Sequence, residues 1–541
     1  MLDKGSSDAC DVLVIGSGSA ALSAALRCAV GGLRVTVLEK TGRLGGTSAM
    51  SGAGTWIPAN HHAANARIQD SPAEALDYMR ATSPRGWQET EDDLWVAFVL
   101  NASAMLAFLE KNTPLRFALT EEPDTMAEQP GGKRRGRMLS PLSLRRALAG
   151  PYAGRIRTST LPHLYTYQEV YDGDLYHRPV RATIKFAHKL LWRLLTGSRA
   201  QGTALITGLL SGCLAHGCRI ELNSRVVQLR AEDGSIVGVA TEHHGKLREY
   251  RARRGVVIAT GGFEWDSDLL SEHFPGALDR LGSPRSNTGD GQRMAAAVGA
   301  QLAHMDQANV YPTMPTYYEG QPHGIPLIFQ AEPHAILVDR NGKRFVSEYD
   351  FNIGEAIDRR DADGRPLHLP AWVIADRRFL AQAPPFLWYA RKQKGWLVKA
   401  PTLARLADKI GIVAAELETT VARYNLFCES GRDLDFHRGE SVWEEFKAGG
   451  GRETSLASVE RAPFFAMPLN RSILGTKGGA RTNAKGQVLR PDGSVIAGLY
   501  AAGLSMANPI GTRAVGPGTT IGPNLTWGFI CGTSLLGDNR S

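Results

Sequence analysis

No two cysteines stand at CxxC spacing in this 541-residue chain, and none of the six (Cys10, Cys28, Cys213, Cys218, Cys428, Cys531) falls in a Cys–His cluster at metal-ligand spacing. Neither a zinc site nor a disulfide framework is expected, and the thiols read as reduced and mostly buried. No run of eighteen apolar residues occurs, and the opening stretch MLDKGSSDAC lacks the apolar core of a secretory signal. The expectation is a cytoplasmic protein without a membrane span. Internal repeats and low-complexity tracts are missing too. Charge is mixed rather than segregated: 62 Lys and Arg against 54 Asp and Glu leave +8, and the tight basic cluster KRRGR, Lys133 to Arg137, has no interleaved aromatics. A solvated surface explains this better than nucleic-acid binding. What remains is ordinary globular material, long enough for two domains, one inserted in the other.

The first segment that carries chemistry is DVLVIGSGSAALSAALRCAVGGLRVTVLEK, Asp11 to Lys40. Val12 to Ile15 has strand composition, Gly16-x-Gly18-x-x-Ala21 makes a tight turn, and Leu22 to Val30 continues with alanine-rich helical spacing. The glycines let backbone approach a pyrophosphate, Ala21 lets helix pack on strand, and the helix start at Ser19 and Ala20 offers N–H groups to anionic oxygens. A second strand, Arg34 to Leu38, ends in Glu39, where this motif places an acid for a ribose hydroxyl. The predicted fold class is α/β with a Rossmann-like dinucleotide site; a purely structural glycine turn is the other reading of these residues. Further on, Ala335 to Val338, Asn341-Gly342 and Arg344 to Val346 predict strand, turn and strand in a region richer in proline and aromatics.

GRLGGTSAMSGAGTWIP, Gly42 to Pro58, is a small-residue loop longer than a nicotinamide enzyme's usual connection. It resembles the flavin-contacting loop of FAD-dependent enzymes in the fumarate reductase and 3-oxosteroid dehydrogenase superfamily. RRGVVIATGGFEWD (253–266) and GSVIAGLYAAG (493–503) match two further segments. PGGKRRGRMLSP, SNTGDGQRMAAAVGA, RNGKRFVSE, LGTKGGARTNAKGQVLRPDG and GPGTTIGPNLTWGFICG bring the likeness closest to the 3-oxosteroid dehydrogenases, over almost the whole chain. The resemblance implies an FAD-binding domain of glutathione-reductase type from residues 1–60, 200–304 and 462–541, a mostly helical insertion at 61–199, and an α+β cap at 305–461. It implies noncovalent FAD, since no histidine adjoins Gly46-Thr47-Ser48. Contacts are expected from Gly16, Gly18, Ser19, Ala20, Ala21, Glu39 and Lys40, and from Gly45, Gly46, Thr47, Ser48, Ser51 and Gly52 in the loop. Val226, Thr260, Gly261, Gly262, Asn287 and Asp290 follow in the middle, then Gly503, Gly518, Thr520 and Ile521 near the end.

Dehydrogenation beside a ketone needs a base for the α-proton, donors for the enolate oxygen and a hydride acceptor. The resembled enzymes use tyrosines for the first two. Here the matching stretches read Thr125-Met126 before PGG, Phe351-Asn352 after RFVSE, and Ala514 in RAVGPG, so all three expected tyrosines are absent. Arg513, with the Gly518 N–H, is the candidate oxygen-binding group, because fumarate-reductase relatives place a carboxylate-gripping arginine there and arginine keeps its charge. The same arginine could simply pair with an interdomain acid. Candidate bases are Tyr165 and Tyr167, at strand-like spacing in LPHLYTYQEVYDGDLYH with Tyr171 and Tyr176, and Tyr349; a depressed pKa beside a cation would activate one. Core packing is the alternative for each. Lys477 is another nearby cation, and the lack of a histidine before Gly478-Gly479 argues against a dicarboxylate substrate. The leading expectation is an FAD-dependent dehydrogenase forming a C=C bond α,β to a ketone of a steroid or smaller alicyclic ring, with a small-molecule ketone and an external electron acceptor as partners. A soluble ene-reductase acting on an enoate or enone, and a flavin-binding protein without catalysis, are the alternatives. No metal is expected.

Overall fold

The apolar runs of the sequence lie side by side in an eight-stranded sheet in the computed structural model, which describes residues 8–243, 246–326, 331–382, 393–449 and 452–537. Asp8–Ile15 pairs in parallel with Val35–Leu38 on one side and Lys246–Ile258 on the other, and Arg219–Glu221 and Val495–Ala501 extend the parallel set. Val12, Leu13, Val14, Val37, Val256, Val257 and Ile258 are wholly buried, as expected of strands covered on both faces, where polar–apolar alternation is lost. Ser19–Val30 packs between two other helices rich in small residues, Gln201–Ala215 and Ile521–Gly537. Gln88–Asn112 lies against Ile521–Gly537. Among the described residues it alone is long and apolar enough to cross a membrane by length and composition, and it buries Leu94, Trp95, Phe98, Met105 and Leu109 in the core.

A second, antiparallel sheet runs in the order Ala335–Val338, Ala371–Ala375, Phe464–Leu469, Val398–Ala400. Its alternating residues serve two cores, as a period of two requires. Leu337, Val373 and Met467 join Met314 and Trp396 on one face; Ile336, Val338, Ile374 and Ala466 join Leu406, Leu417 and Tyr424 on the other. Phe464–Leu469 is a central strand here, so the division expected at residue 461 falls before a strand that this sheet needs. The Asn341-Gly342 turn forms, but Arg344–Val346 is not a strand, and Ala335–Val338 pairs with Ala371–Ala375 instead. The reason is Arg344, which turns inward to Glu348 at 2.9 Å and Asp433 at 2.8 Å.

Glu348 has no exposed side-chain surface and accepts from Arg344, from Arg438 at 3.0 Å and from the Leu337 N–H at 3.0 Å. Burial alone would raise its carboxyl, but Arg344 and Arg438 hold it below the ordinary carboxylate value. Its stabilisation is therefore present above the unfolded carboxylate pKa and is lost as pH falls through the lower folded one. Glu348→Ala takes from the buried Arg438 the carboxylate it shares with Arg344, which keeps Asp433, and should cost about 3–5 kcal/mol, the scale of a broken buried ion pair. The check is thermal unfolding at neutral pH; an unchanged midpoint would show that the network carries no net stability.

Candidate active site

A cavity of about 1030 Å³ opens at the carboxyl ends of three parallel strands, where Ile15, Leu38 and Ala259 line it. Ligands of open α/β sheets bind at such ends. Gly16 lines it with φ of +106°, and a Cβ there would sit 2.3 Å from the Ala259 carbonyl oxygen, so only glycine lets these strand ends meet. Ser19–Val30 starts at the cavity behind Gly18, which gives it no side-chain cap; the Ser19 N–H reaches Ser48 Oγ at 3.2 Å. Ile521–Gly537 starts there as well, and the buried Asn524 Oδ1 on the wall has no protein partner. Glu39 is buried at the end of its strand, accepting from Ser17 Oγ at 2.5 Å and from the Thr41 N–H at 2.9 Å. Lys40 donates to Thr288 at 2.8 Å and Asp290 at 3.0 Å. Burial would raise Asp290, but Arg225 and Lys40 hold it low.

The residues expected at the cofactor line this cavity with four exceptions. Ala21 is wholly buried in the core. Gly45 packs on Ala49 and Ile206, Gly262 on Glu264 and Thr476, and Gly518 on the backbone of Thr55 and Trp56. Arg157, His163, Lys447 and Asn524 line the cavity without having been expected, because no local sequence pattern marks them.

The catalytic candidates separate. Tyr165, Tyr167, Tyr171 and Tyr176 line the cavity, whereas Arg513 and Tyr349 do not. Arg513 forms a two-bond ion pair with Glu355 of Ile353–Asp358, both distances 2.8 Å, so that its guanidinium is held by an acid away from the cavity lining. Tyr349 is buried beneath the Arg438 guanidinium, 5.0 Å from its ring centroid, with its hydroxyl pushed up to about 12 by burial. The three positions where tyrosines were missed do converge. Asn352 donates to the Ala514 carbonyl at 3.0 Å and accepts from its N–H at 2.8 Å, and Thr125 donates to the Val515 carbonyl at 3.4 Å.

Tyr165 and Tyr167 are not on a strand: Tyr167 opens the helix Tyr167–Asp172, with Thr166 and Glu169 forming a reciprocal cap. Tyr165 meets Thr183 at 3.0 Å, while Tyr167 donates to the buried Glu122 at 3.0 Å and lies 3.3 Å from the Tyr171 hydroxyl. The Tyr167 ring packs on Gly52, close enough that a Cβ there would approach it to 3.2 Å. Burial, then Glu122, pushes the Tyr167 hydroxyl far up, the reverse of the depressed tyrosine expected from sequence. Burial also raises Glu122, against the pull of Lys447 and the two phenols. Lys447 lies 5.3 Å from the Tyr171 ring centroid, and burial lowers it. On another wall, Lys477 donates to the Gly511 carbonyl at 2.6 Å and is pulled down to about 8 by burial.

The family described as FAD binding domain matches residues 11–521. The chain is an FAD-dependent oxidoreductase of that family. It is 35% identical to 4-oxocyclohexanecarboxylate 2-dehydrogenase of Sinomonas cyclohexanicum, over 97% of this chain and 93% of that one. It is 34% identical to 3-oxosteroid 1-dehydrogenase of Mycobacterium tuberculosis, over 96% and 97%. The crystal structure of 3-ketosteroid Δ1-dehydrogenase from Sterolibacterium denitrificans, in complex with 1,4-androstadiene-3,17-dione, is similar with a TM-score of 0.87 at 28% identity, covering 98% of this chain and all of that one.

The residues fit FAD: a glycine turn admits close approach, a helix starts at the cavity, an acid, Glu39, lines it at a strand end, and the buried Asn524 oxygen on its wall has no protein partner. Gly16→Val would drive side-chain atoms into Ala259 and should abolish flavin retention, whereas Glu39→Ala should weaken it. The flavin-to-protein absorbance ratio after gel filtration at low concentration checks both; full loading of Glu39→Ala would overturn the ribose assignment.

Proposed function

We propose that this oxidoreductase, with FAD held noncovalently, removes hydrogen across the Cα–Cβ bond beside a ring ketone of a steroid or smaller alicyclic molecule. The observation that carries the reading is the Tyr167–Glu122 pair, with the Tyr167 ring packed on Gly52 of the loop that lines the cavity. Tyr167 takes the α-proton on its hydroxyl oxygen as its own proton passes to the Glu122 carboxylate. The C–H electron pair becomes the enolate, and the half-buried Lys447 and the buried Lys477 lend the cavity positive charge. FAD, held at the Gly16 turn and the loop 46–52, would supply the acceptor for the β-carbon's hydride. The curated relatives carry the names of ring-ketone dehydrogenases, which supports this direction of reaction. The reductase reading leaned on Arg513, whose guanidinium is held by Glu355.

Anaerobic addition of saturated ring ketones, from 3-oxosteroids to 4-oxocyclohexanecarboxylate, should bleach the oxidised flavin band for at least one class. Bleaching by none, together with reoxidation of chemically reduced protein by an enone, would overturn the reading. Tyr167→Phe and Glu122→Gln should each keep the flavin and lower turnover roughly 10²–10⁴-fold, the worth of a positioned acid–base group. Glu122 works ionised and its pKa is raised, so turnover should fall as pH drops through a value above the ordinary carboxylate range. The residual activity of Glu122→Gln should lack that acid limb.

A further inference from the structure

One helix of the cover is built inside out. Ala187–Thr196 buries Leu190 and Arg193 and turns Leu191, Trp192, Leu194 and Leu195 outward, at 59, 59, 57 and 75% exposure. Arg193 is fixed inside by Glu169, at 2.5 and 2.9 Å, and by the Leu164 carbonyl at 2.7 Å. The helix cannot roll to hide its leucines without stranding a buried charge. The helix before it, Pro179–Lys185, adds Val180 and Ile184, each more than 70% exposed. Apolar side chains on an ordinary surface are scattered singly; six on two successive helices mark an interaction face.

Charge selects the occupant. Between Arg178 and Arg199 the sequence has six Lys and Arg and neither Asp nor Glu. Arg178, Arg181, Lys185 and Lys189 are exposed, and Arg145 lies 5.6 Å from the Trp192 ring centroid. Cations rimming a Trp–Leu face are the composition of a helix that lies in the headgroup layer, with apolar side chains at the acyl boundary and ammonium groups among phosphates. The first of the two helices also meets the cavity: Pro179 at its start lines the wall, and Tyr165, another wall residue, bonds Thr183 on it at 3.0 Å.

We infer that Pro179–Thr196 seats this protein on the surface of an anionic bilayer, lying on it rather than spanning it, with the cavity mouth toward the lipid so that an apolar ketone can enter from the membrane. The entry route rests on the proposed ketone chemistry; the docking does not. The test is flotation of the flavin-loaded full chain with vesicles of phosphatidylcholine alone or with added phosphatidylglycerol. Binding should require the anionic lipid and weaken in high salt. Leu191→Ser/Leu195→Ser and Arg181→Glu/Lys185→Glu should each lower vesicle affinity about tenfold or more, with flavin content and thermal unfolding unchanged. Failure to float with either vesicle, flotation untouched by both variants, or a lipid-free dimer that Leu191→Ser/Leu195→Ser breaks apart would each overturn the inference, the last assigning the face to a second copy of the chain. Flotation needs no turnover, so its failure leaves the ketone reading standing, and a failed ketone reading leaves the docking standing.

Discussion

Everything at the cofactor depends on how closely the first and last described helices approach one another. A Cβ at Gly528 would come within 2.2 Å of the Ala20 carbonyl oxygen, and one at Gly532 within 2.7 Å of the Arg27 Cβ. Ser23 closes the contact by donating to the Leu525 carbonyl at 2.7 Å. Glycine inside a helix costs roughly 1 kcal/mol relative to alanine, so these residues are tolerated for the contact and not for the helix. Near-backbone packing brings both helix starts to one cavity, which is thus positive at two points before any side-chain charge is counted. An anionic dinucleotide suits that space.

A similar logic governs the side of the cavity where chemistry would take place. The three segments that lack tyrosines still converge, but hydrogen bonds between Asn352 and Ala514 close them into a clamp. Arg513 reinforces that clamp through Glu355, joining the late glycine segment to a helix of the 305–461 region. A residue that sequence places as a substrate ligand is here a tie between two parts of the fold. Tyrosines from elsewhere, Tyr167 and Tyr171, occupy the cavity wall, and the acid that accompanies them is Glu122, three positions before Thr125.

The cofactor half was legible because its chemistry is local. Strand, glycine turn, helix and terminal acid fall within Asp11 to Lys40, and each constraint acts on neighbouring backbone. The two strand ends that Gly16 brings together are far apart in sequence, yet the need for a glycine was readable from the turn alone. The catalytic half was not legible, since Tyr167, Glu122 and Lys447 meet only through tertiary packing. Spacing even misled: Tyr165 and Tyr167 alternate like strand residues, but the Thr166–Glu169 cap starts a helix between them and sends their hydroxyls to different partners. Arg344 shows the same failure in the small sheet, where buried acids from distant segments outweigh a local strand–turn–strand pattern.

Burial that raises both Tyr167 and Glu122 would disable either as a simple base, yet it suits the two acting together. A lone tyrosinate in that site would be an anion in a poorly solvated space next to a carboxylate, and burial penalises it heavily. In the proposed relay no tyrosinate forms, because the phenol gains one proton as it loses another. The negative charge begins on Glu122 and ends on the enolate oxygen, so one anion is present throughout. Burial makes Glu122 the stronger proton acceptor, while Lys447 limits how far its pKa climbs and keeps the carboxylate available. The pair needs proximity and a dry wall rather than the depressed pKa that sequence reasoning sought, and packing of the Tyr167 ring on Gly52 supplies both.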